Sequence, residues 1–188
     1  MMRNFQRILI CTFLFSMAGG VRSQTIQEEK KKIPGHIQWY SFEKAYELNK
    51  KKPRKMLVDV YTDWCGWCKK MDAETFSDPV IMEYMQKHFY SVKLNAETKD
   101  TITIDGVTFI NPGRGGRRQT HQLASELLRG NMSYPSYVFL NEKGQLLTVV
   151  QGYQASKEFE SVLHYFGEDA YLKNSWAEFQ SGFKGKIK

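Results

Sequence analysis

The apolar positions of this chain change period several times, and each change marks an element. "IQWYSFEKAYELNKKK" places Trp39, Phe42, Tyr46 and Leu48 close to helical spacing, which predicts a first helix. Pro53, in the run "NKKKPRK", ends it. "MLVDVYT" is a continuous apolar run broken once, by Asp59, the pattern of a central strand covered on both faces. Ser77 or Asp78 followed by Pro79 signals a helix start, and Val80, Met82, Tyr84, Met85 and Phe89 give that helix its apolar face. "YSVKLNAE" predicts the next strand.

Residues 98–133 have a different character. "ITIDGVTF" alternates β-branched and polar residues around Asp105-Gly106, a two-residue hairpin signal. "NPGRGGRR" reads as a loop, where Arg114, Arg117 and Arg118 could cradle an anion or an acidic partner; a solvated loop is the simpler account. "QTHQLASELLRG" predicts a helix with Leu123, Leu127 and Leu128 inward and Gly130 as its stop. "YPSYVFLNEKGQLLTVVQGY" gives two strands joined at Asn141 to Gly144, and "SKEFESVLHYFGED" an amphipathic helix opening at Ser156. Parallel crossovers followed by an antiparallel hairpin imply an α/β chain with a mixed sheet and helices on both faces.

The N-terminus changes the setting. Arg3 and Arg7 precede an apolar run from Ile8 to Met17, then Ala18, Gly19 and Gly20, the layout of a signal peptide cleaved after Ser23. The run is shorter than the roughly 20 apolar residues that span a bilayer. The net charge of +7 includes three leader arginines; without residues 1–23 the balance is 24 basic to 20 acidic, which gives no argument for a nucleic-acid partner. Membrane association is expected only through the cleaved signal. Residues 24–37 read as a flexible lead-in, 38–170 as one domain and 171–188 as a C-terminal extension.

Past the leader only Cys65 and Cys68 remain, in "DWCGWCKK". A link across three residues constrains the unfolded chain very little, so a structural staple is a poor explanation. Structural zinc needs four ligands, and His36, His88, His121 and His164 are scattered, so no metal is expected. A dithiol that opens and closes is what is left. A cysteine between a central strand and a helix meets outward-pointing N–H groups that stabilise a thiolate, making Cys65 the expected exposed nucleophile. Cys68, one turn on and more buried, would resolve the mixed disulfide. Asp59, on the preceding strand, either helps Cys68 lose its proton or is satisfied by local hydrogen bonds.

"LVDVYTDWCGWCKKM" resembles the active-site region of the thioredoxin family, with its strand acid, the Trp before the first Cys and the Lys after the second. "YPSYVFLNEKGQLL" and "QGY" resemble the family's cis-proline loop, hairpin and late glycine. The resemblance covers about residues 56–166, with 98–119 as an inserted hairpin and loop ahead of the proline. It implies a thioredoxin-like three-layer fold. It also implies a cis Tyr134–Pro135 bond beside Cys65, with the Tyr134 backbone available to a substrate strand. Gly66-Trp67 departs from the Gly-Pro of cytosolic thioredoxins. Trp64 is expected to pack beneath the motif, and Trp67 to lie exposed beside the thiols, as a recognition surface or as packing.

Together these features lead to the expectation of an exported disulfide reductase without cofactor, periplasmic or secreted, recharged by a membrane electron donor and acting on disulfide-containing proteins. A disulfide-forming oxidase, an isomerase and a non-catalytic binding module of the same fold are the alternatives.

Overall fold

A computed structural model of the chain describes residues 35–113 and 119–188. The leader, most of the lead-in and Arg114, Arg117 and Arg118 lie outside the described residues.

The centre is β2 (Lys55–Tyr61), all but its last residue buried. β3 (Phe89–Asn95) pairs with it in parallel and β6 (Ser136–Leu140) antiparallel. β1 (Trp39–Tyr40) and β7 (Leu146–Gln151) complete a five-stranded sheet in the order β1-β3-β2-β6-β7. The side-chain alternation of β2 divides the core in two. Met56, Val58 and Val60 face one layer, with Phe42 and Ala45 of α1 (Phe42–Lys51) and Leu123 and Ala124 of α4 (Gln122–Leu127). Leu57 faces the other, against Met71 of α2 (Gly66–Glu74), Ile81 and Met85 of α3 (Pro79–His88) and Phe159 and Leu163 of α5 (Ser156–Gly167). Each fully buried Leu, Phe or Met contributes about 1.5–3 kcal/mol. Lys55 can open a buried strand because Glu142 and Asp169 hold its ammonium at 2.7 and 2.9 Å. The thioredoxin-like three-layer α/β architecture expected from the sequence is the one observed.

The helix caps fall where the sequence puts them, with one exception. Asp78 caps α3 ahead of Pro79 through the Val80 N–H. Ser41 caps α1 through the Lys44 N–H, so that helix begins at Phe42. Trp39, expected on the helix, is instead in β1, registered against Ser91 with its ring on Phe76. The helical spacing was accidental, running across a strand and a cap.

The inserted hairpin is real. β4 (Ile102–Ile104) and β5 (Val107–Phe109) pair through a turn in which Asp105 and Gly106 both have positive φ, 49° and 80°. It packs on α1: Asp105 accepts from the Tyr46 hydroxyl at 2.5 Å and from Lys50. Asn111 closes the neck by donating to the Glu97, Thr98 and Gln119 carbonyls.

The C-terminal extension is also structured. A short 3-10 turn (Ala170–Leu172) leads to α6 (Trp176–Gly182), which opens on a capping box between Ser175 and Glu178. Trp176 packs edge-on against Tyr165 of α5. Beyond it, the buried Glu160 carboxylate accepts the Lys186 and Ile187 N–H groups at 2.7 and 3.0 Å. Among the described residues no helix is long and apolar enough to cross a membrane.

Candidate active site

β2 delivers the motif to the sheet's end, where a turn closed by the Cys65 N–H on the Thr62 carbonyl leads into α2. Cys65 is the N-cap of that helix: its sulfur accepts the Cys68 N–H at 3.1 Å. An N-cap sulfur sits where unpaired N–H groups and the helix dipole favour negative charge. Cys65 and Cys68 are joined as a disulfide. The expected contrast in exposure is not seen. Cys65 is 5% exposed and Cys68 3%, because the Cys65 sulfur is drawn back onto the helix N-terminus rather than projecting from it.

Asp59 lies two residues before the end of β2, facing the layer that contains α2, and is buried. Burial pushes its carboxyl up to about 6, against the pull of Lys93. Lys93 is Asp59's register partner on β3, with Nζ 2.8 Å from Oδ2. The same ammonium reaches Asp72 of α2 and is ringed by Trp39, Tyr61 and Phe76, at 4.9–5.6 Å from their centroids. Burial pulls the ammonium down, but Asp59 and Asp72 outweigh it and hold Lys93 above the usual lysine value.

Pro135 immediately precedes β6 at the same end of the sheet, since its neighbour Ser136 is registered with Val60. The Tyr134–Pro135 bond is cis, as the family resemblance implies. Tyr134 meets the motif directly, its ring edge-on to Trp64 at 6.1 Å. Trp64 does not pack beneath the motif. It is 50% exposed, because the turn from Thr62 to Cys65 carries it outward onto Tyr134. Trp67 is 59% exposed, as expected, and packs on Tyr153 at 5.6 Å, with the Lys70 ammonium over both rings. At Gly66, between the two indoles, an added Cβ would meet nothing within 4 Å.

Lys93, Lys70 and Tyr153 were not singled out from the sequence. Lys93 had a signal, a charged residue inside "SVKLNAE", but its pairing depends on strand register. Tyr153 joins Trp67 only because β7 returns beside β6.

The family profile described as a thioredoxin-like domain matches residues 42–167. This chain belongs to the thioredoxin-like family. The thiol:disulfide interchange protein DsbD of Salmonella typhimurium is 23% identical over 169 residues, 87% of this chain and 26% of that protein. DsbD of Salmonella typhi is 28% identical over 88 residues, 45% of this chain and 15% of the relative. The chain thus spans about a quarter or less of the length of these relatives. Among solved structures, a DsbH oxidoreductase superposes with a TM-score of 0.53 at 18% identity, covering 76% of this chain and 92% of the other. A thioredoxin from Thermus thermophilus gives 0.52 at 18% identity, covering 79% and 98%. At such identities the likeness shows the fold.

Proposed function

We propose that the protein is an exported thiol–disulfide oxidoreductase that reduces disulfides in other proteins. The observation that carries this reading is a two-cysteine disulfide at the N-cap of α2, fed by a strand that carries a buried acid with a raised pKa. In the reduced protein the Cys65 thiolate attacks a substrate disulfide, one substrate sulfur leaves as a thiolate that takes a proton from water, and Cys65 is held as a mixed disulfide. Cys68 gives its proton to the Asp59 carboxylate and attacks the Cys65 sulfur. The second substrate sulfur leaves as a thiolate and takes the proton that Asp59 releases, and Cys65–Cys68 is oxidised. Two electrons have then passed from the dithiol to the substrate, and a membrane electron donor must restore them. An acid poised near 6 can both accept and release that proton around neutral pH.

Trp64 with Tyr134 on one side of Gly66, and Trp67 with Tyr153 on the other, form the surface that meets the substrate chain, with Pro135 at its base. The leader pattern of residues 1–23 supports export, to the periplasm or outside the cell.

Direction is tested by equilibrating the Cys65–Cys68 pair against glutathione buffers. A potential near that of thioredoxin, about −270 mV, supports a reductant; one near about −120 mV would make the protein an oxidant and reverse the sequence of steps.

A further inference from the structure

Tyr137 on β6 stands directly opposite Asp59 on β2 in the antiparallel register. Cross-strand partners project to the same face, here the one covered by α2, α3 and α5. Tyr137 is fully buried, its ring between Phe76 at 5.9 Å and Phe159 at 4.9 Å. A phenylalanine would pack equally well there, so the ring does not explain the hydroxyl. Among the described residues that hydroxyl has no hydrogen-bond partner, and neither has Asp59 Oδ1, the oxygen that Lys93 leaves uncovered. Buried polar atoms are nearly always paired. Two orphans on facing residues of adjacent strands, one able to donate and the other to accept, make a complementary pair.

We propose that Tyr137 is a positioning residue for the buried acid, its hydroxyl being the donor that Asp59 Oδ1 takes up, directly or through one water, when the carboxylate is ionised. The two are not hydrogen-bonded in the disulfide form. Ionisation turns Asp59 into a pure acceptor and strengthens the attraction across the gap. The phenol does not compete for the charge, because burial and then the negative Asp59 push it well above the usual tyrosine value.

The other groups facing this pair act differently. Lys93 from β3 holds Oδ2, and Asp72 from α2 opposes a second negative charge. Tyr61 on β2 feels the Asp59 charge, and Tyr153, beyond β7, faces the Tyr137 phenol. Cys68 comes from α2, and α5 contributes the apolar Phe159. Tyr137 is the neutral donor registered directly opposite Asp59, so its removal has one sign: the ionised form of Asp59 loses support.

The test is Tyr137→Phe, which keeps the ring, with the Asp59 carboxyl titrated by carbon NMR. Its midpoint should move up from about 6 by about one unit, a tenfold change in the ionisation constant. An unchanged or lowered midpoint in the folded variant overturns the proposal. A second measurement needs no variant: in the parent protein the Tyr137 ring carbon bearing the hydroxyl should titrate with the Asp59 midpoint, and a flat response overturns it too. The kinetic consequence rests on the function proposed above. The pH–rate profile of disulfide reduction should shift the same way in Tyr137→Phe, and Asp59→Asn should abolish that shift. A shifted Asp59 titration without any reductase activity would sink the proposed function and leave the Tyr137 pairing standing.

Discussion

Lys93 Nζ lies 2.8 Å from Asp59 Oδ2 across the β2–β3 register, and the same ammonium also pairs with Asp72. One cation thus serves two carboxylates, one buried and one at the surface, inside a ring of aromatic faces. The buried member is left short of compensation: burial outweighs the lysine, and its pKa rises to about 6.

That imbalance makes Asp59 a cost to folding. Its folded-state value lies above the unfolded one, so between pH of about 4 and 6 the folded chain keeps a proton that the unfolded chain has released. Stability attributable to this group is present below about pH 4 and is lost as pH rises through about 6, by about 3 kcal/mol. Asp59→Asn should therefore be more stable than the parent at neutral pH, by about 1–3 kcal/mol, and should lack the decline across that window. Urea denaturation at several pH values measures both. A variant less stable than the parent at neutral pH contradicts the assignment.

Removing the cation acts in the opposite direction on the acid. Lys93→Met leaves Asp59 buried without its attracting charge, so its midpoint should climb above about 6, by about one unit or more. NMR titration of the Asp59 carboxyl reads this directly, and the acid limb of the pH–rate profile, where the carboxylate base is lost to protonation, should move up with it. A fall in the midpoint is the contrary result.

The two exposed indoles should matter for large substrates and little for stability. Trp64→Ala and Trp67→Ala should each lower kcat/KM for a protein disulfide by about tenfold, equivalent to about 1.4 kcal/mol. A small aromatic disulfide should be reduced at nearly the parent rate. Equal losses on both substrates would show that the indoles act on the thiols themselves.

The C-terminal tail is held by a buried carboxylate, and Gly185 passes it so closely that an added Cβ would collide with Glu160 Oε2. Gly185→Ala should cost about 1–3 kcal/mol, the range for an overpacked contact or a buried polar group losing its partner. Chemical denaturation measures it, and a neutral result would show that the tail is not clasped.

Much of this was legible in the chain. The break of "MLVDVYT" by Asp59, the Asp105-Gly106 turn, the Asp78-Pro79 helix start and the two cysteines each have a local cause, and local causes can be read from sequence. What was missed or misplaced depends on neighbours far along the chain. Trp39 lies at helical spacing from Phe42, but pairing with Ser91 and the Ser41 cap decide its place. Lys93 and Tyr137 gain their meaning only from facing Asp59 across two different strand pairs. Trp64 was expected beneath the motif; the turn geometry carries it outward instead. The Ser175–Glu178 capping box, which opens α6, is a local signal readable in the chain.

The central claim is that Cys65 is the attacking sulfur and Cys68 the resolving one. Reduced Cys68→Ala incubated with a disulfide-bonded protein should accumulate a covalent adduct at Cys65, visible by intact-mass spectrometry and released by dithiothreitol, while Cys65→Ala should give none and have no turnover. An adduct at Cys68 in Cys65→Ala, or a Cys65→Ala protein that still turns over, would contradict the account.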